Sequence, residues 1–443
     1  MNALASPKIF PDTYATLKRS SSHTAAYERA ARLLPGGTTN SLMQPAGLEF
    51  VIERGEGAYV IDMDGHRRLD FMLGAGPLVL GHAHPRIVET IAQQAARGTH
   101  YFGLAQRAVE LAERIARHVP SAEMVRFAGS GTEATMHAIR LARAVTGREG
   151  FVKFDGAWHG HSDLAAWSME SSPTQIPTPY AESAGIQRGV SDDLVVLRYN
   201  DAAAVRELLR AHPQRFAAII CEPAQRALSP QPGFLETLRE ECTKAGVVLI
   251  FDEVVTGFRI APGGAQEKYG VVPDLTTLGK ALSGGLPLAA LVGKRWLMEH
   301  LTPGSDPSMF SFHCGTFNGS PLAIECAHTT MDIMIDEGGI ETLGKLGDLA
   351  REKVGAVFKD LGLTAQITGV GPMFHYYFTE EEVIDQTVAR RSNIALGNAI
   401  HRHMYAAGIY RQAAKTYLCL VHTPDHLDEY CSVLRWAAAT SLR

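Results

Sequence analysis

The chain has 443 residues, of which 46% are hydrophobic and 20% charged; this is ordinary globular usage and excludes a disordered, collagen-like or coiled-coil protein. Lysine and arginine total 42 against 47 aspartates and glutamates, so the net charge of −5 gives no basic excess to neutralise a nucleic-acid backbone. This length predicts one to three closely packed domains with room for a large core.

The six cysteines (Cys221, Cys242, Cys314, Cys326, Cys419 and Cys431) are scattered and none has CxxC spacing. That pattern predicts reduced thiols in a cytoplasmic protein, with neither a disulfide frame nor a zinc site. The first residues, MNALASPKIFPDTYATLKRSSS, lack a basic segment followed by an apolar core, and no long apolar run occurs later, so neither a secretion signal nor a membrane span is expected.

In chain order, a first helix is predicted to end at Leu33-Leu34-Pro35-Gly36-Gly37, where proline and paired glycines stop it. Phe50 to Phe71 alternates in polarity and is punctuated by Glu56-Gly57 and Asp64-Gly65, which predicts a small β-meander. From about residue 85 to 320, helical patterns alternate with short, continuously apolar runs: Val125–Phe127, Phe151–Phe154, Ala217–Cys221 and Val247–Phe251. Such runs fit strands buried on both faces of a mostly parallel sheet. Beyond residue 320, Leu322–Glu337, Ile340–Leu361 and Arg390–Ala407 read as helices, and Met373–Phe378 and Tyr417–Val421 as strands. Together they suggest a smaller α+β unit, completed by the N-terminal meander.

Ligands of an open parallel sheet bind beyond the carboxyl ends of its strands. Four groups stand there: Gly129–Thr132 after MVRF, Trp158-His159 a short loop after FVKF, Glu222 after AAIIC, and Asp252 after VVLIF. Gly129-Ser130-Gly131-Thr132-Glu133 opens a helix whose free amides and dipole suit a phosphate. Ser130-x-x-Glu133 is equally a capping box that needs no ligand. The same stretch mimics a GxGxxA dinucleotide fingerprint, but it lacks the third glycine, and Asp155 lies farther on than the ~20 residues expected.

Asp252 alone reads as a turn or capping residue. Lys280, within Asp274-Leu-Thr-Thr-Leu-Gly-Lys280-Ala-Leu-Ser-Gly-Gly285, is either a surface residue on a glycine-rich loop or a desolvated amine able to form a Schiff base. His82 and His84, and His159 and His161, sit in loops bounded by Gly or Pro without clustered carboxylates or thiols, and read as structural. His401 and His403 do not share a helix face. No metal site is expected, and Glu222 is left between a pocket residue and a strand end.

Taken together, Phe251-Asp252-Glu253-Val254-Val255-Thr256-Gly257-Phe258-Arg259 and the segment from Tyr269 through Pro273-Asp274 to Gly279-Lys280 resemble the class III pyridoxal-phosphate aminotransferases of fold type I. Within that family the chain is most similar to the glutamate-1-semialdehyde aminomutase branch. Gly76–His82, Ser130–Ala134, Gly156–His161, Glu222-Pro223 and Gly315-Thr316 fall in family order over about Leu34 to Pro321. The resemblance implies an α/β protein in three parts: residues 1–75 as an N-terminal arm and part of a small domain, 76–325 as a large cofactor-binding domain with a mostly parallel central sheet, and 326–443 as the rest of the smaller α+β domain.

It also implies pyridoxal 5'-phosphate, with Lys280 in Schiff-base linkage and Asp252 paired with the ring nitrogen, both catalytic. Ser130, Gly131 and Thr132 would hold the phosphate, and Trp158 would stack on the ring, where the family more often has Tyr or Phe. Thr316 would complete the phosphate site of the partner subunit in a homodimer with shared active sites.

The activity expected is transfer of an amino group from a non-standard, β- or D-amino acid to a keto acid. An aminomutase of the glutamate-1-semialdehyde type, a nicotinamide dehydrogenase resting on the fingerprint, and a regulator reusing the fold are the alternatives. The family's aminomutases and β-amino-acid enzymes place an arginine after Pro35-Gly36-Gly37, but Thr38–Gln44 holds none, which argues against the semialdehyde as substrate. Arg411 or Lys415 is then the candidate for a substrate carboxylate, beside the reading of both as a solvated basic loop.

Overall fold

The computed structural model describes residues 19–41, 44–170 and 176–442. Residues 1–18, which bear on targeting signals, and Leu42 and Met43, part of the segment lacking arginine, lie outside them.

The first helix, Ser21–Leu33, stops where Pro35 comes next but one, and Ser20 caps its start by accepting from the His23 amide. The meander forms from β1 (Ile52–Glu56), β2 (Tyr59–Asp62) and β3 (Arg67–Asp70), paired antiparallel in sequence order. Its two turns use Gly57 at φ 55° and Gly65 at φ 81°, a left-handed backbone that glycine adopts without cost.

The large sheet has seven strands: β4 (Met124–Ala128), β5 (Gly150–Phe154), β6 (Leu194–Leu197), β7 (Phe216–Cys221), β8 (Val248–Glu253), β9 (Leu275–Leu278) and β10 (Ala289–Gly293), in the spatial order β4-β10-β9-β8-β7-β5-β6. β10 pairs antiparallel with both β4 and β9, while β9, β8, β7, β5 and β6 run parallel. Only β10 therefore opposes the rest. Alternate residues of one strand enter different cores: Val152, Ile219 and Leu249 pack on one face, and Phe151, Ile220 and Ile250 on the other. Burial on both faces is why these runs are apolar without alternation.

The C-terminal part contains β11 (Gln366–Val370), β12 (Met373–Tyr377), β13 (Ile409–Tyr410) and β14 (Thr416–Tyr417). β13 adds to the meander parallel to β3, pairing Ile409 with Leu69, and one hydrophobic cluster draws side chains from residues 58–91 and 326–438. Three expectations are corrected. The helix expected over Arg390–Ala407 is two helices, Gln386–Arg391 and Ile394–Ala406, because Asn393 caps the second by accepting from the Leu396 amide at 3.0 Å. The strand expected over Tyr417–Val421 ends at Tyr417, because the next amides bond to loops: Leu418 to the Pro372 carbonyl and Leu420 to that of Val79. The helix expected over Leu322–Glu337 runs from Pro321 to Met331 and widens into a π turn over Asp332–Asp336.

All six cysteines are free thiols, and no helix among the described residues is long and apolar enough to cross a membrane.

Candidate active site

The carboxyl ends of β4, β5, β7, β8 and β9 meet along one sheet edge, and residues at or just beyond each of these ends line a single cavity of about 300 Å³. Gly131 and Thr132 come from the end of β4, Trp158 and His159 from β5, Glu222 from β7, Asp252 from β8 and Lys280 from β9. Five of the residues singled out by sequence (Gly131, Thr132, Trp158, Asp252 and Lys280) are thus brought together. Ser130 and Thr316 do not line the cavity. The Ser130 hydroxyl instead accepts from the Glu133 amide at 3.2 Å, and Thr316 lies exposed after the sheet.

The helix Gly131–Thr146 opens with first-turn amides that have no partner within the helix, aimed where an anion is favoured. Half of the expected capping box forms, since the Glu133 carboxylate turns back to the Gly129 amide at 2.7 Å and not to Ser130. The loop after β5 packs closely against this helix start. A Cβ on Gly160 (φ 91°) would fall 2.4 Å from Thr132 Oγ1, and the Thr135 hydroxyl donates to the His159 carbonyl at 2.6 Å.

Asp252 is held from three sides. Thr277, its cross-strand partner on β9, donates its hydroxyl to Oδ1 at 2.9 Å; the Val254 amide reaches the same oxygen at 3.2 Å; and His159 Nδ1 lies 2.7 Å from Oδ2. Glu222 accepts from the Trp158 amide at 2.7 Å and the Arg226 amide at 3.3 Å, which orients the aromatic residue.

Lys280 comes directly after Gly279 at the end of β9 with left-handed backbone, φ 44°, a conformation that side-chain-bearing residues hold only where their surroundings enforce it. Its amine is buried, and burial pushes its pKa below the usual lysine value; Lys415 adds to this, while Tyr417, Asp252 and Glu222 oppose it.

This set fits pyridoxal phosphate. A buried amine can take the aldehyde, a fixed carboxylate can face a pyridinium, helix amides can cradle the phosphate and Trp158 can cover the ring. The buried His159 Nε2, which has no partner among the described residues, marks the polar floor left beside Asp252. The dinucleotide alternative loses its acid, since both oxygens of Asp155 are bound by Arg390 at 2.6 and 2.7 Å.

Several pocket residues carried little sequence signal. His159 follows a strand end but reads from sequence as structural, and Glu222 reads as either a pocket residue or a strand end. Arg226 and Tyr417 had no mark beyond standing shortly after Glu222-Pro223 and lying in a short strand. Lys415 lines the cavity and Arg411 does not; Arg411 is buried elsewhere, donating to the Tyr376 hydroxyl at 2.7 Å and to the Ala413 carbonyl at 3.3 Å. None of the described residues 19–50 lines the cavity of their own chain. An adjoining cavity of about 240 Å³ shares Glu170 and Arg226 with it, extending the space toward Tyr377 and Phe378.

Residues 43–435 match the family model of the class-III aminotransferases. A glutamate-1-semialdehyde 2,1-aminomutase of Chloroherpeton thalassium is 39% identical over 415 residues, covering 91% of this chain and 95% of that protein. Among solved structures, an omega-transaminase from Sphaerobacter thermophilus superposes with a TM-score of 0.91 at 32% identity, over 98% of this chain and 100% of that one. A β-phenylalanine aminotransferase from Variovorax paradoxus gives a TM-score of 0.82 at 30% identity, over 93% of this chain and 92% of that one. With a matching fold and sequence over nine-tenths of its length, the chain belongs to the class-III aminotransferases, fold type I enzymes whose cofactor is pyridoxal phosphate.

Proposed function

We propose that this protein transfers amino groups at Lys280, and that exchange of an amino group within one carbon skeleton, the 2,1-aminomutase reaction for which its curated relatives are named, is the best-supported form. That ranks the aminomutase above the β- or D-amino-acid transaminase favoured by sequence. When bound, pyridoxal phosphate supplies an aldehyde to receive the amine and a ring that withdraws the electron pair left by a departing proton. Lys280 then serves as the base at the amine-bearing carbon and returns the proton at the other end of the transferring system. Asp252, oriented by Thr277 and His159, would face the ring nitrogen. Gly131 and Thr132 would hold the phosphate, and Trp158 would cover one face of the ring.

Convergence of Lys280, Asp252 and Thr132 on one cavity is the observation that carries this reading, and it is also why a non-catalytic role is set aside. A second reading, transamination between separate donor and acceptor, is favoured by the absence of arginine from Thr38–Gln44 and by the likeness to the omega-transaminase. Purified holoenzyme given glutamate semialdehyde alone distinguishes them. Conversion to the 2,1-rearranged isomer supports the aminomutase. Turnover that appears only when an amino donor and a 2-keto acid are supplied together supports the transaminase. Inactivity in both assays overturns amino-group transfer.

A further inference from the structure

We propose that Lys415 anchors a carboxylate of the amino substrate, so that the protein takes amino acids and not simple amines; this rests on the amino-transfer reading above. Lys415 lies between β13 and β14, immediately before β14, and is 5% exposed. Its side chain lines the cavity that holds Lys280 and Asp252. Among the described residues it makes no hydrogen bond or ion pair, and its one polar contact is with the Tyr417 ring, 5.4 Å from Nζ. An ammonium so enclosed is unfavourable unless an anion meets it.

Among the described residues no carboxylate does so. Glu222, whose charge acts most strongly on Lys415, is engaged by the Trp158 and Arg226 amides. Of the other cations near Lys415, Lys280 is the amine assigned to the cofactor's aldehyde, and the two arginines are bonded to the protein, with Arg259 Nη1 left without a partner among the described residues. Arg226 donates to the Gly156 carbonyl at 2.9 Å and the Met169 carbonyl at 3.2 Å, and pairs with Glu170 at 3.3 Å. Arg259 donates to the Val255 and Gly76 carbonyls. The cofactor's phosphate would have its own cradle in the helix amides at Gly131 and Thr132, which would leave Lys415 for the substrate.

Burial, set against the attraction of Glu222 and reinforced by Arg226 and Arg259, brings the Lys415 pKa down to about 8, so the group is still mostly charged near neutral pH. A carboxylate docking on it would restore the missing counter-charge. It would also stand in for the arginine that the segment Thr38–Gln44 lacks.

The test uses wild-type, Lys415→Met and Lys415→Arg holoenzymes. β-Alanine, 4-aminobutanoate and 5-aminopentanoate are each compared with the n-alkylamine of equal carbon count, read as the dissociation constant from the change in the cofactor's visible band. Wild type is expected to bind at least one acid at least 10-fold more tightly than its amine. Lys415→Met should lose roughly 10- to 100-fold on that acid, the worth of a charge-assisted hydrogen bond. Amine binding should stay within about twofold, and Lys415→Arg should recover part of the loss.

Equal losses on acid and amine, a wild type that does not discriminate between them, or weakened pyridoxal phosphate affinity in Lys415→Met overturns the proposal. The parent reading fails on a different signal, a wild type with no borohydride-reducible link at Lys280, and the carboxylate anchor falls with it. Where that link is present, the acid-to-amine ratio decides alone.

Discussion

His159 Nδ1 sits 2.7 Å from Asp252 Oδ2, and both side chains are almost fully buried. A carboxylate can only accept, so this contact fixes the imidazole with its proton on Nδ1 and turns Nε2 away from the aspartate. The histidine thereby aims a carboxylate that Thr277 already holds on its other oxygen. Asp252→Asn should still bind pyridoxal phosphate but slow proton abstraction by at least roughly 100-fold, within the range of general acid–base contributions. His159→Phe should bind the cofactor and lose less. Single-turnover kinetics followed at the cofactor's absorbance checks both; an unchanged rate in Asp252→Asn means the carboxylate faces something other than the ring nitrogen.

Lys280→Ala removes both the amine that takes the aldehyde and the base. The fold should persist, since the side chain makes no hydrogen bond among the described residues, while turnover should fall by about four orders of magnitude or more. Product assay of a variant shown to be folded by circular dichroism is the measurement. Substantial residual turnover would reassign the base.

Gly160→Ala is expected to damage the phosphate cradle from outside it. The added methyl would stand 2.4 Å from Thr132 Oγ1 and 2.8 Å from Thr132 Cα on a backbone with φ 91°, so the helix start must move. Left-handed strain and overpacking each cost about 1–3 kcal/mol. Lower cofactor affinity together with a lower melting temperature is the expected pair of readouts.

Thr316 is exposed in its own chain, which suits a role on a neighbouring copy. Mixing Thr316→Ala chains with Lys280→Ala chains should yield, in mixed dimers, one site with both lesions and one with neither. Activity should reappear on mixing; its failure to do so in verified mixed dimers counts against shared sites.

The rings of His137 and His313 stack with centroids 3.8 Å apart. Burial and then Arg140 lower His137 to about 4, and burial and then His137 lower His313 to about 3, from an ordinary 6.5. Below pH ~6.5 the unfolded chain protonates these rings while the folded chain does not, so it binds more protons, and stability falls as the pH drops through the window down to ~3. Above ~6.5 the pair contributes no pH dependence. His313→Phe keeps a ring in the stack and removes one titrating group, so its urea midpoint should fall less steeply than that of wild type between pH 6.5 and 4.5. Parallel slopes would show that this ring is not the one titrating.

Sequence and structure agree most closely where a segment has one physical task. The runs in β5, β7 and β8 are apolar because both sheet faces are covered, and the polar residues at their ends are therefore conspicuous. β9 has two tasks. Two of its four residues are threonines, and their buried hydroxyls serve Asp252 and, through Thr276, Ser121 and Gln266, so its apolar signal is diluted by the site itself. The reversed direction of β10 leaves no trace in residue type, since Ala289–Gly293 is as apolar and as buried as its parallel neighbours. Lys415 shows the opposite difficulty. Nothing local separates it from Arg411, and only the path of the chain between β13 and β14 turns one into the cavity and the other onto Tyr376.

That path carries a consequence for how the protein is made. β3 is complete once residue 70 has been synthesised, yet the strand that covers its second edge, Ile409–Tyr410, emerges some 340 residues later. At ribosomal speeds of about 5–20 residues per second, the β3 edge waits for tens of seconds with unpaired amides and carbonyls. Lys280 and Asp252 are placed well before Lys415 and Tyr417 leave the ribosome. A nascent chain that has not yet released Ile409–Tyr410 would therefore carry its cofactor residues and an open strand edge together.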